Sequence, residues 1–146
     1  MEGKAFIEIA QKLAPMRTEP ASRSAIGRAY YAVYNCWIQL LSELGFKFGK
    51  DASAHDKIYA YINNSGIQEL KETADALRHL RRRRNLADYD METQEFLNHI
   101  LCQLDVARAQ AVILQIEKYS KEPLRTQLKN GLRAYHAIIS PSSSSN

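Results

Sequence analysis

The run Arg84-Asn85-Leu86-Ala87-Asp88-Tyr89-Asp90 gathers a guanidinium, an amide, two carboxylates and a phenol into one short stretch. It follows directly on Arg78, Arg81, Arg82 and Arg83. A guanidinium presents a planar fork of donors that matches the oxygens of a phosphate. A carboxylate or phenol beside it can accept or release a proton. The chain carries 20 Lys and Arg against 16 Asp and Glu, for a net charge of +4. Without the five arginines of residues 78–84, fifteen basic residues face the sixteen acidic ones. The basic excess is therefore local. It points to a site for an anionic partner, with Arg78, Arg81, Arg82 and Arg83 as its contacts. A solvated helix face is the alternative reading of such a run.

Other chemistries lack their residues. His55, His79, His99 and His136 are far apart, and no His-x-x-x-His or Cys-x-x-Cys spacing occurs, so no metal is expected. No Gly-rich phosphate loop, Ser-His-Asp set or Cys-His set stands out. His55 lies three residues before Ile58 and is expected to face the bundle. Cys36 and Cys102 fall inside helical patterns and fit reduced thiols better than a disulfide framework.

The elements that must position these groups all read as helices. A first helix is expected over residues 4–14, with Phe6, Ile9, Ala10 and Leu13 as its stripe. Pro15 and Pro20 bracket the loop after it. A second runs from an N-cap at Ser22 to a C-cap at Gly45, with Ile26, Ala29, Tyr30, Val33, Trp37 and Leu40 in phase. Tyr30, Tyr31 and Tyr34 are expected to pack, with nucleotide stacking as the alternative. A third begins after Ser53, where Asp56 completes a capping-box spacing, and stops at residues 63–66.

The fourth helix spans residues 68–87. Leu70, Ala74, Leu77 and Arg84 share one phase, so Arg84 is expected to face inward, while Arg82 and Arg83 point elsewhere. A fifth helix is expected from Thr93 to Tyr119, its buried stripe formed by Phe96, Leu97, Ile100, Leu101, Leu104, Ala111 and Leu114. Pro123 opens a sixth. No segment shows a period of two, so the fold class is all-α. It is expected to be an antiparallel up-and-down bundle of four to five core helices plus a C-terminal helix. Residues 1–120 form the bundle, 121–139 pack on it, and the Ser-rich residues 140–146 are expected to be disordered. No apolar run approaches a membrane span, and no signal-peptide layout opens the chain. The expectation is a cytoplasmic protein that does not enter a membrane.

Arg23-Ser24-Ala25-Ile26-Gly27-Arg28-Ala29-Tyr30-Tyr31-Ala32-Val33-Tyr34, then His55, then Arg84-Asn85-x-Ala87-Asp88-Tyr89-Asp90, resemble a HEPN domain over roughly residues 1–118. The resemblance implies a helical bundle that dimerises. It implies either a metal-independent endoribonuclease or a non-catalytic module that binds RNA, a nucleotide or a partner protein. Toxin–antitoxin pairs with a minimal nucleotidyltransferase, and antiviral systems, are the implied settings. No cofactor is implied. The motif arginine corresponds to Arg84 and its polar neighbour to Asn85. The position five after Arg84, where the family carries histidine, is Tyr89. On this reading Arg84 holds the scissile phosphate, Asn85 orients it, and Tyr89 or Asp88 handles protons. Tyrosine titrates near 10 and histidine near 6.5, so Tyr89 is the weaker base at neutral pH. An inward Arg84 suggests a homodimer joined near the fourth helix.

Overall fold

The computed structural model describes residues 2–141 and is all-helical over them. The helices are α1 (Ala5–Leu13), α2 (Glu19–Glu43), α3 (Ser53–Asn63), α4 (Gln68–Tyr89), α5 (His99–Tyr119) and α6 (Leu124–Ile139). Short 3-10 turns at Ala14–Met16 and Glu95–Leu97 precede α2 and α5. They pack as a helical bundle. The expected tail lies outside the described residues from 142 onward; Ser140 forms the C-cap of α6.

Helix α2 is the spine and packs against α1, α4 and α5. Its small residues Ala25, Ala29 and Ala32 are fully buried and let neighbours approach, while Ile26, Val33, Trp37 and Leu41 fill the space between them. The helix starts earlier than the Ser22 cap expected from the sequence. Thr18 is its N-cap, accepting from the Ala21 N–H at 3.3 Å. Pro20 therefore sits in the first turn, where its missing N–H costs nothing. Ser22 is buried instead and meets His99 Nδ1 at 3.2 Å.

Helix α5 differs most from expectation. Asp90 turns the chain after α4, its Oδ1 accepting from the N–H groups of Glu92 (3.0 Å) and Thr93 (3.1 Å). The helix proper begins only at His99, capped by Asn98, which accepts from Leu101 N–H at 3.0 Å. Its buried face is Cys102, Val106, Ala109, Val112, Ile113 and Ile116. Of the stripe expected to be buried, only Phe96 is enclosed, and Leu97, Ile100, Leu101, Leu104 and Leu114 are exposed. The helix is apolar on two faces, and periodicity alone cannot choose between them. The capping box expected of Ser53 and Asp56 does not form. Asp51 Oδ1 accepts from Ser53 N–H at 2.9 Å, and Asp56 is left to pair with Arg81.

Helix α6 joins the bundle by a close approach at Gly131. A Cβ there would stand 1.9 Å from the carbonyl oxygen of Ser65 in the α3–α4 turn. Leu128 and Leu132 bury on either side, and Tyr61 meets His136 Nδ1 at 2.6 Å. Both cysteines are free thiols. No helix among the described residues is long and apolar enough to cross a membrane.

Candidate functional site

Helix α4 lies against α2, α3 and α5, so its buried sector is wide. That width separates the five arginines. Arg83, expected to point away, is the buried one: its side chain is 3% exposed and pairs with Asp105 at 2.7 Å and Glu95 at 2.8 Å. Phe96 lies 4.8 Å from its guanidinium carbon. Asp105 also meets His79 Nε2 at 2.9 Å. Arg83 therefore fastens α4 to α5 and is not a contact for an outside anion. Arg82 extends toward Glu95 (3.7 Å) on that same side.

The remaining arginines turn the other way. Arg84 is in phase with the core, as its register predicts, and its side chain is 13% exposed. It lies over the rings of Tyr30 (5.2 Å) and Tyr31 (5.4 Å). It donates to Asn85 Oδ1 at 3.2 Å and approaches Asp88 only loosely, at 3.9 Å. Its Nε is buried without a hydrogen-bond partner. An unmade bond at a buried charged donor is costly, and Arg83 Nη2 is buried without a partner as well. One turn back, Arg81 bonds Asp56 at 2.8 Å. A further turn back, Arg78 lies over the Tyr59 ring at 3.6 Å. From α2, Arg28 lies beside the rings of Phe6 and Tyr31 at 5.7 and 5.6 Å.

Tyr30 and Tyr34 occupy successive turns of α2, and their rings stack at 5.7 Å. His55, on the first turn of α3, stacks on Tyr34 at 4.2 Å and forms a hydrogen bond between its Nδ1 and the Tyr30 hydroxyl. A small cavity of about 20 Å³ borders Tyr30, His55, Asp56, Tyr59, Arg78 and Arg81. That is room for roughly one water. Beyond Tyr31 an open groove of about 370 Å³ runs along Arg23, Ser24, Gly27, Arg28 and Asp88. A Cβ on Gly27 would meet no atom within 4 Å there.

Burial pushes the Tyr30 phenol well above its ordinary range, against the opposing pull of Arg81 and Arg84. Burial lowers His55 below its usual value, and the positive charges of Arg81 and Arg84 lower it further, with Asp56 acting in the opposite sense. Tyr30 therefore stays a neutral phenol, and His55 is a neutral imidazole at pH 7.

The structure brings Arg84, Asn85 and Asp88 together with Arg81 and Arg78. Tyr89 is elsewhere, 77% exposed at the end of α4. Asp90 is occupied by its turn. Arg23 opens the stretch of α2 that carries the resemblance, but its spacing alone assigns it no role. Its Nη1 donates to the carbonyls of Leu86 (3.3 Å), Ala87 (2.9 Å) and Asp90 (2.9 Å), satisfying the end of α4. His55 faces inward as expected, and only the fold shows that its partner is Tyr30. Among the described residues no three His, Cys, Asp or Glu side chains gather as a metal site.

No family model matches the chain, and no solved structure does. The chain is similar to an uncharacterized protein of Methanocaldococcus jannaschii. The two are 28% identical over 152 residues, a span covering 89% of this chain and 85% of the other.

Proposed function

We propose that this chain is an RNA-directed protein of the HEPN type, acting on single-stranded RNA as a metal-independent endoribonuclease. The observation that carries the reading is the face described above. Arg28, Arg84, Arg81 and Arg78 lie among the part-exposed rings of Tyr31 and Tyr59 along one side of α2, α3 and α4, with Tyr30 buried beneath them, and Arg84 holds a buried, unpaired donor. Cations track a phosphate backbone, and interleaved rings take unstacked bases, an arrangement suited to single strands. A duplex keeps its bases stacked and offers such rings little. The alternative, a non-catalytic module for a nucleotide or a partner protein, uses the same arginines without turnover.

Competition between a labelled single-stranded RNA and its duplex tests this reading. Single strands should bind at least about tenfold more tightly. Gly27→Leu projects a side chain toward the open groove from a Cβ that meets no atom within 4 Å, so it should weaken RNA binding while the fold survives in thermal melting. Equal affinity for both forms, or no effect of Gly27→Leu, would count against the reading.

We further propose that the protein works as a homodimer, with α5 rather than α4 at its centre. Leu97, Ile100, Leu104 and Leu114 are 55%, 68%, 59% and 56% exposed. With Ala107 and Ala111 they follow the alternating three- and four-residue steps of a coiled-coil seam. Its large residues lie in one half and its alanines toward the other. An antiparallel second copy sets Leu104 against Ala111, whereas a parallel copy stacks alanine on alanine. Arg108 and the carboxylates of Glu72 and Asp75 border the same groove beside the seam. Among the described residues none of the three makes an ion pair, and a twofold partner can match them. From Ile100 to Leu114 the helical seam is about 21 Å long. At a width of roughly two helices it buries on the order of 400 Å² per copy, the size of a weak, transient interface.

A further inference from the structure

An endoribonuclease that works without metal needs a group to take the proton of the attacking hydroxyl, and Tyr89 projects into solvent away from the arginines. Resting on the RNA-directed reading above, we infer that His55, held by Tyr30, is that proton-transfer group, and that Arg84 and Arg81 bind the phosphate it acts on.

The geometry supplies the parts. His55 is fixed on two sides and open on a third. Tyr34 stacks on its ring at 4.2 Å, Tyr30 lies 5.7 Å away with its hydroxyl bonded to Nδ1, and the cavity of about 20 Å³ opens beside it toward Asp56, Arg78 and Arg81. When Nδ1–H donates to the Tyr30 oxygen, the lone pair of a neutral imidazole is at Nε2. A phenol that does not ionise is suited to hold that tautomer, and burial keeps Tyr30 in its neutral form. The charged groups that face His55 are Arg81 and Arg84 from α4 and Asp56 from its own helix, with the Tyr30 and Tyr34 phenols from α2. The two arginines are the same ones placed to hold a phosphate, so base and anion site are one constellation.

The step balances without a co-reactant. The 2′-oxygen of a ribose attacks the adjacent phosphorus while its proton passes to His55 Nε2. The bond from phosphorus to the 5′-oxygen breaks, and its electron pair leaves with that oxygen, which takes a proton from water. The products are a 2′,3′-cyclic phosphate and a 5′-hydroxyl. Arg84 and Arg81 stabilise the added negative charge on the phosphoryl oxygens. Tyr30 is a positioning residue, since it acts only through His55.

The test incubates the full chain with end-labelled single-stranded RNA in EDTA and measures both cleavage and binding. Wild type should release a cyclic phosphate end. His55→Gln should cut at least about 100-fold more slowly, within the usual range for general acid–base help, with affinity for RNA unchanged within about threefold. The wild-type rate should rise with pH and level off below about 6.5, because His55 is lowered from its ordinary value. Should His55→Gln fail to fold, Tyr30→Phe keeps both rings and removes only the hydroxyl. It should slow cleavage at least about tenfold while RNA binding holds. Wild type that binds RNA and does not cut it, or His55→Gln or Tyr30→Phe cutting within threefold of wild type, overturns this inference and leaves RNA recognition standing. Wild type that fails to bind RNA overturns the underlying reading.

Discussion

Replacing Arg83 with alanine should damage this protein far more than replacing Arg82, the neighbouring arginine outside the site. Arg83 is 3% exposed at its side chain and bonds Asp105, itself 9% exposed, at 2.7 Å. Removal leaves Asp105 a buried carboxylate with only His79 beside it, and opens a space against Phe96. Breaking a buried pair from one side costs about 3–5 kcal/mol. For a chain of 146 residues the unfolding entropy is roughly 0.3 kcal/mol/K, so melting should fall by about 10–16 °C. Glu95, at 40% exposed, regains water and adds little. Arg82, 58% exposed and 3.7 Å from Glu95, should cost under about 1 kcal/mol when truncated. Differential scanning calorimetry on Arg83→Ala and Arg82→Ala makes the comparison. The double variant Arg83→Met with Asp105→Leu should recover most of the loss, because it removes both charges and refills the space. A melting shift for Arg83→Ala as small as that for Arg82→Ala would refute the assignment of Arg83 to the core.

Gly131→Ala should destabilise by about 1–3 kcal/mol, since its Cβ meets the Ser65 oxygen at 1.9 Å; an exposed helical glycine would instead gain stability. Thermal melting decides by the sign of the shift. Leu104→Glu should convert a dimer at tens of micromolar to monomer in sedimentation velocity, with melting of the fold unchanged within a few degrees, because Leu104 is already 59% exposed. A wild-type monomer under those conditions would contradict the α5 seam. Tyr89→His restores the residue the HEPN motif carries, yet Tyr89 is 77% exposed, so cleavage measured in EDTA should not increase.

Much of the fold was legible because α2 and α4 repeat apolar residues with one dominant phase. Leu70, Ala74 and Leu77 set that phase for α4 and carried Arg84 inward with them. Arg83 was not legible, because its burial depends on α5 adding a second wall to α4. The face of α5 was misread for a related reason. Leucines at 97, 101, 104 and 114 are as regular as Val106, Ile113 and Ile116, and only the packing of α1, α2 and α4 against the second set chooses between them. In the site, Arg84 and Asp88 are neighbours in sequence and were read together. His55 reaches Tyr30 across 25 positions, a distance over which side-chain spacing carries no signal. The turn at Asp90, by contrast, is built from its own sequence neighbours.

The most direct measurement is the salt dependence of single-stranded RNA affinity, by fluorescence anisotropy in EDTA, for wild type, Arg84→Ala and Arg82→Ala. Each phosphate held contributes about −0.7 to the slope of log affinity against log salt. Four arginines line the proposed face, so wild type should give a slope near −3. Arg84→Ala should weaken binding and flatten the slope by about 0.7, while Arg82→Ala, on the Glu95 side of α4, should leave the slope alone. Binding that is absent at low salt, or a slope that responds to Arg82 and not to Arg84, would contradict the proposed interface.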